Sequence, residues 1–256
     1  MSNVGLLARQ VQFTNKTFWR NPASAFFTFV FPLLFLVIFT TLLGNGDVSL
    51  GGRTIRLSTY YVAAMATFGL IGACYTNIAI SIVFTREAGI LKRTRGTPLP
   101  PWVYLTARVI HASLIGFVLI AITVAFGVVA YGASVPSGSD LFRFGVTVLV
   151  GAGCFSAIGL AVSGLIPNAD AGPPIVNAII LPLLFLSGVF IALGDDPATW
   201  VDVVGKIFPV RHLVDAMRAS FLGLPTFNWS DVAIVGLWMV VGVVVAARFF
   251  RWEPRT

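Results

Sequence analysis

The chain has 256 residues, 57% of them hydrophobic and 11% charged, with a mean hydropathy of +0.91 and a net charge of +7. That balance is far more apolar than a water-soluble globular domain carries, and the apolar residues fall in runs of about twenty, the length that crosses hydrocarbon. The chain is therefore read as a single all-α integral membrane domain over residues 1–256, its positive charge lying in short loops where the positive-inside rule accounts for it without a nucleic-acid partner.

Residues 1–20 place Val4, Leu7, Val11 and Phe18 at helical spacing, with Arg9, Gln12, Asn15 and Lys16 largely elsewhere. This predicts an N-terminal helix lying in the inner interface and stopped at Asn21-Pro22. No A-x-A-like site follows Leu43, so a cleaved signal peptide is not expected. Six spans are predicted: Ala23–Leu43, Tyr60–Phe84, Val109–Tyr131, Leu141–Ile166, Pro174–Leu193 and Asp231–Phe250. The connection Pro167–Pro173 between spans four and five is short and has no Lys or Arg. Between spans five and six, Gly194–Trp229 interleaves Trp200, Val203, Val204, Ile207, Phe208, Leu213, Met217 and Phe221 with charges. It is too polar to span and too apolar for a free loop, which predicts short re-entrant or interfacial helices on the outer side.

An even span count puts both termini on one side. The N-terminus, Thr85–Arg108 and the C-terminus carry eleven of the seventeen Lys/Arg, and the opposite loops six, offset there by six of the ten acidic residues. Both termini are therefore expected in the cytoplasm. Trp19, Trp102 and Trp252 then fall at the inner interface and Tyr60, Tyr61 and Tyr131 at the outer one. In span four, Gly153, Ala157 and Ala161 recur every fourth position, with Gly145, Gly151, Gly159 and Gly164 nearby. Small residues let backbones approach closely in lipid, either inside the bundle or at a dimer interface.

Enzyme signatures are absent: no G-x-x-x-x-G-K-[ST], H-E-x-x-H or G-x-S-x-G occurs. Cys74 and Cys154 lie inside apolar runs and read as small core residues. His111, at the start of span three, and His212 are assigned to opposite faces, so they form no shared metal site. The spans hold no deep charge of the kind that couples a secondary transporter to ions. Their polar groups are Asn77, with Thr76 and Ser81, and Asn177, which either bond between helices or line a route. A transporter built this way needs an external energy source.

That need draws notice to Thr85–Arg108, TREAGILKRTRGTPLPPWVYLTAR. Residues Ala88–Arg95 have helix-compatible composition despite Gly89, Gly96 can end that helix, and Pro98 reinforces the stop. On its own the segment suits equally a positive-inside loop and a contact for another protein. Glu87-Ala88-Gly89 and Thr97-Pro98-Leu99 resemble the cytoplasmic coupling region of the membrane domains of type-2 ABC exporters. Asn177–Leu193, with Pro182 and Ser187-Gly188, resembles that family's fifth span, and Phe208–Arg218 (FPVRHLVDAMR) the segment after it. One departure is Lys92-Arg93, which stands where many members pair a basic residue with an acidic one.

The resemblance implies a permease subunit in a bacterial plasma membrane, paired with a second copy or a paralogue and with separate ATPase subunits. ATP and magnesium would belong to those partners, with no cofactor and no catalytic residue in this chain. It implies that Glu87, Gly89, Lys92, Arg93 and Arg95 contact the ATPase, with Asn168–Asp170 a further candidate. A path would run along spans one, two and five past Phe29, Phe35, Asn77, Asn177 and Phe185, and an outer gate would include Phe208 and His212. The aromatic lining, which also includes Phe26, Phe27, Phe31 and Phe190, suits export of an apolar drug, antibiotic or lipid. A polysaccharide or lipid-linked glycan is the alternative cargo, and a self-contained secondary transporter or channel the rival class.

Overall fold

The computed structural model describes residues 2–50, 53–190 and 199–253. Helix α1 (Asn3–Trp19) is capped by the Ser2 hydroxyl and ends where Asn21 and Pro22 begin α2 (Pro22–Leu43). The Asn21 side chain accepts from the Ser24 amide at 3.2 Å, so the predicted stop is also a helix start. Beyond α2 lies a hairpin that the span-based reading lacks: β1 (Asp47–Leu50) pairs antiparallel with β2 (Arg53–Arg56), Asp47 opposite Arg56. The Gly51-Gly52 pair between two short strand-like runs is the sequence signal that could have shown it.

The second span is one continuous 31-residue rod, Leu57–Glu87. It consists of α3 (Leu57–Ile71), a π-helical turn over Gly72–Thr76, and α4 (Asn77–Glu87). Nearly every residue of α3 is buried, which suits a helix that is apolar all round. Tyr60 and Tyr61 are therefore core residues, 0% and 2% exposed, and not interfacial anchors as expected. The short α5 (Ile90–Arg95) follows, then α6 (Pro101–Tyr131), α7 (Ser139–Leu165) and α8 (Gly172–Leu186). After the undescribed stretch come α9 (Thr199–Ile207), α10 (Pro209–Phe221) and α11 (Trp229–Phe249).

Among the described residues, five helices are long and apolar enough to cross a membrane: α2, the α3–α4 rod, α6, α7 and α11. The sixth predicted span differs. Helix α8 has 15 residues, about 22 Å at 1.5 Å per residue, against roughly 30 Å of hydrocarbon. It stops because Ser187 is followed by Gly188 in the left-handed region at φ +81°. The end of the predicted span, residues 191–193, and the Gly194–Ala198 start of the outer segment lie outside the described residues. Within that segment α10 is buried against α7, α11, α3 and α8, so it dips into the bundle instead of lying free on its surface.

Helix α7 is the centre, with α11 along one side and the rod along another. Its small residues make this possible. A Cβ on Gly159 would lie 2.8 Å from the Tyr75 carbonyl oxygen in the π turn, and one on Gly164 would strike the backbone of Phe249. Across the other seam, Gly242 of α11 sits against the Ala157 backbone. The small-residue run thus serves packing within the bundle. Helix α2 is peripheral, touching α1, α3 and α6.

The bundle has two distinct ends. At one, which we call the clamp end, α1, α4, α7 and α11 finish and α6 and α8 begin; Trp252 packs on Tyr104, ring centroids 6.0 Å apart. At the hairpin end, Asn45 donates to the Tyr131 carbonyl at 3.3 Å and accepts from the Ser58 amide at 3.2 Å. Gly159→Leu should shorten no loop and change no charge, yet cost about 1–3 kcal/mol by overpacking against backbone. Thermal unfolding in detergent should show a fall of several degrees, whereas Gly145→Ala, where a Cβ meets nothing within 4 Å, should leave the midpoint unchanged or raised.

Candidate functional site

The last turn of α4 ends in Arg86 and Glu87, neighbours that reach different targets across the same junction. The Arg86 side chain is only 1% exposed, the largest among the fully buried ones. Its Nη1 donates to the Ser163 carbonyl at 2.9 Å and its Nη2 to the Ile166 carbonyl at 2.5 Å. Both acceptors lie at the C-terminal end of α7, where the last carbonyls lack partners in their own helix and the helix dipole is negative. A guanidinium there satisfies two acceptors and its charge at once. The exposed Glu87 carboxylate accepts from the Ala169 amide, and Asn168 Oδ1 accepts from the Ala171 amide at 2.9 Å, leading the chain into α8.

Sequence reasoning counted Arg86 among loop charges and missed this clamp. The available signal was an arginine inside the helical pattern at the edge of an apolar span, a position that calls for a partner. Of the candidate coupling residues, Glu87 faces the α7–α8 connection, beside the Asn168–Asp170 stretch singled out with it. Gly89 does not continue the helix as expected: at φ +69° it turns the chain so that a new helix, α5, starts at Ile90. A Cβ there would meet nothing within 4 Å, so the glycine serves conformation and not space. Leu91 is fully buried and anchors α5, leaving Lys92, Arg93 and Arg95 exposed. A cleft of about 510 Å³ beside it is lined by Arg95, Phe250, Arg251, Trp252 and Glu253.

The candidate path residues do not all lie together. Phe35 belongs to an aromatic cluster that joins α2, α3 and the turn after α8: its ring lies 6.0 Å from Phe68 and 5.7 Å from Phe190. Phe185 joins the same cluster, 4.9 Å from Phe190, and Phe39 stacks on Tyr61 at 5.1 Å. Phe29 is elsewhere, stacked on Trp19 at 5.7 Å near the α1–α2 corner. Phe26 and Phe27 point out of the chain, 57% and 63% exposed, whereas the half-exposed Phe31 packs on the cluster at Phe35, ring centroids 4.9 Å apart. Asn77 is half-buried just beyond the π turn, and Asn177 shares an exposed face of α8 with Phe185. Ser81 bonds to a carbonyl of its own helix, Ile78, at 3.2 Å.

The two gate candidates meet α11. Phe208 stacks on Trp238, centroids 6.1 Å apart. His212 is held between Asp231 Oδ1, 2.7 Å from Nδ1, and the Lys206 carbonyl, 2.9 Å from Nε2. It thereby ties α9, α10 and α11 together. His111 is at the opposite end, and because α6 starts at Pro101 it lies inside the helix, buried, its ring 5.5 Å from Phe18. Cys74 and Cys154 are buried free thiols. Among the described residues no group of three or more His, Cys, Asp or Glu side chains could hold a metal ion.

Bilayer-length apolar helices with a short, exposed, basic helix at one end define an integral membrane protein. The chain belongs to the ABC-2 type transporter family, whose model matches residues 6–222. It is 24% identical over 249 residues to a protein of Bacillus subtilis named as a transport permease, YvfS, covering 97% of this chain and 98% of that one. The inner membrane transport permease YadH of Escherichia coli is 23% identical over 221 residues, 84% of this chain and 80% of its own. The ycf38 protein of Porphyra purpurea, also named as a transport permease, is 24% identical over 240 residues, 91% and 79% of the two chains. The chain is thus a permease subunit of an ABC transporter, and the family implies an ABC ATPase as its partner.

Replacing Arg86 by Ala would leave the α7 carbonyls without their donor at a buried junction. The expected loss is roughly 2–4 kcal/mol, read as a lowered unfolding midpoint in detergent. Arg86→Lys should recover only part of it, because one ammonium on a flexible stem does not reproduce the two-pronged guanidinium.

Proposed function

We propose that this permease is an exporter moved from its α5 end, and that its cargo is an apolar drug, antibiotic or lipid molecule. The observation that carries the reading is the position of the exposed basic α5 directly after the Arg86–Glu87 clamp on the end of α7 and the α7–α8 connection. ATP-driven closure of the partner ATPases would press on Glu87, Gly89, Lys92, Arg93 and Arg95, and the push would pass through the Arg86–Glu87 clamp to the α7–α8 connection. Coupling requires that the two states of the permease meet the ATPase differently, since a ligand shifts an equilibrium only by its differential affinity.

The path in this proposal runs along α2, the rod and α8, completed by a second copy or a paralogue. The outward-pointing Phe26 and Phe27 and the exposed face of α8 with Asn177 and Phe185 support a wall shared with another subunit. The ring cluster around Phe35 and Phe190 supports an apolar cargo over a polysaccharide or lipid-linked glycan. Helix α8 with residues 187–190 would take the place of the sixth span. The clamp end, where most Lys and Arg gather, would be cytoplasmic in a bacterial plasma membrane, with both termini there. Phe208 and His212, joined to α11, would belong to the gate at the hairpin end.

Glu87→Ala, or deletion of Gly89–Arg95, should abolish stimulation of the ATPase by transport in vesicles holding both subunits, while membrane insertion stays intact. Stimulation at the parent level would overturn the coupling assignment. In the same preparation a cysteine at Gly96 should react with an impermeant thiol reagent only from the cytoplasmic side; labelling from outside would invert the topology.

A further inference from the structure

One carbonyl at the hairpin end is held from two sides by segments far apart in the chain. Gly188, in the turn that ends α8, points its oxygen at the Tyr60 hydroxyl, which donates at 2.9 Å, and at Arg218 Nη2, which donates at 3.2 Å. Tyr60 is in the first turn of α3 and fully buried, and Arg218 is in the last turn of α10. The Arg218 guanidinium lies 4.6 Å above the Tyr60 ring, a cation–π contact. The Ser187-Gly188 pair and the FPVRHLVDAMR segment, singled out separately in the sequence, therefore converge on one oxygen atom.

The way Arg218 is satisfied is informative. Its Nε is buried with no hydrogen-bond partner among the described residues. The carboxylate in reach, Asp215, is 3.9 Å away and more closely engaged by Arg211 at 2.7 Å. What holds the guanidinium in place is the Tyr60 ring and the Gly188 carbonyl. Two residues further on, Phe190 is the hub of the aromatic cluster, 5.5 Å from Phe68 and 4.9 Å from Phe185. A displacement of the Gly188 turn carries Phe190 with it.

We propose that Tyr60 and Arg218 are the positioning residues of a latch on the Gly188 carbonyl, closed in this structure, whose release opens the hairpin end of the path. This rests on the exporter reading above. A polar latch suits a gate that opens to water. The carbonyl, the hydroxyl and the guanidinium exchange protein partners for water when they part, so the net cost is small, and the Arg218 Nε gains the partner it lacks. An apolar seal would instead expose hydrocarbon surface at each opening. The closed latch also fixes the left-handed turn at Gly188, from which Phe190 folds back across Phe35 and Phe68.

The test uses the permease–ATPase complex in lipid nanodiscs, with Cys74 and Cys154 replaced by alanine and one reporter, Val189→Cys. Val189 is fully buried beside the latch. An impermeant maleimide should label it slowly without nucleotide and quickly with ATP and vanadate. Tyr60→Phe keeps the ring and removes the donor. It should raise the nucleotide-free rate about fivefold, the shift expected from one hydrogen bond, and leave the ATP–vanadate rate unchanged. Arg218→Gln should act in the same way, with the double variant adding little, and supplies the same readout if Tyr60→Phe does not assemble. An unchanged nucleotide-free rate in both variants would overturn the latch, as would equal acceleration in both states, which marks general loosening. If the parent shows no ATP dependence but Tyr60→Phe still labels faster without nucleotide, the latch stands and the ATP-driven reading falls.

Discussion

The structure depends on the placement of one buried cation. Arg86 is fully desolvated, a costly state for a charge unless it is paired and bonded, and what makes it tolerable is the set of carbonyls at the end of α7. Those carbonyls need donors because a helix cannot satisfy its own last turn. The two needs cancel at one junction, and the junction fixes where the rod, α7 and the α7–α8 connection meet. Glu87 on the next residue extends the same contact to Ala169. Removing either half leaves the other half with an unsatisfied group, so the junction is held or lost as a unit.

Around that junction the bundle is assembled by contact distance and not by burial from water. Between helices in lipid the hydrophobic gain is small, and close backbone approach takes its place. Gly159 against the π turn, Gly164 against the end of α11, and Gly242 against Ala157 set the spacing of the three central helices. The rod that carries Arg86 at one end carries Tyr60 at the other, and between them the Tyr75 hydroxyl approaches the Val176 carbonyl at 3.4 Å. Helix α8 is thus touched by the same rod near its start, along its length and just past its end. On the coupling proposed above, a movement imposed on α5 would reach the aromatic cluster along this rod.

Local features were legible in the sequence because their causes are local. Asn21-Pro22, Gly96 and the apolar run lengths placed α1, α2, the end of α5 and the end of α6 close to where they lie, while α6 starts at Pro101, eight residues before the predicted Val109. The family resemblance was carried by ordered motifs, and the family match agrees with it. Features set by three-dimensional context were not legible. Tyr60 and Tyr61 have the composition of an interfacial belt, and nothing in their neighbours tells that α3 is internal. Arg86 resembles its basic neighbours in sequence and differs only in what lies across from it. The π turn has no signature that marks it, and the shortness of α8 follows from a positive φ at Gly188 within a run apolar enough to continue. Phe29 and Phe35 look equivalent along the chain, yet six residues of helix turn them toward different neighbours.

The central claim is that α5 and the α7–α8 connection move as one body. Spin labels at Lys92 and Asn168, both exposed, measure it directly in the permease–ATPase complex, with a third position at Ser139 on the hairpin end as reference. On addition of ATP and vanadate the Lys92–Asn168 distance distribution should keep its mean and width, while the distance between copies across the complex changes. A Lys92–Asn168 distribution that shifts or broadens on ATP binding would contradict the account.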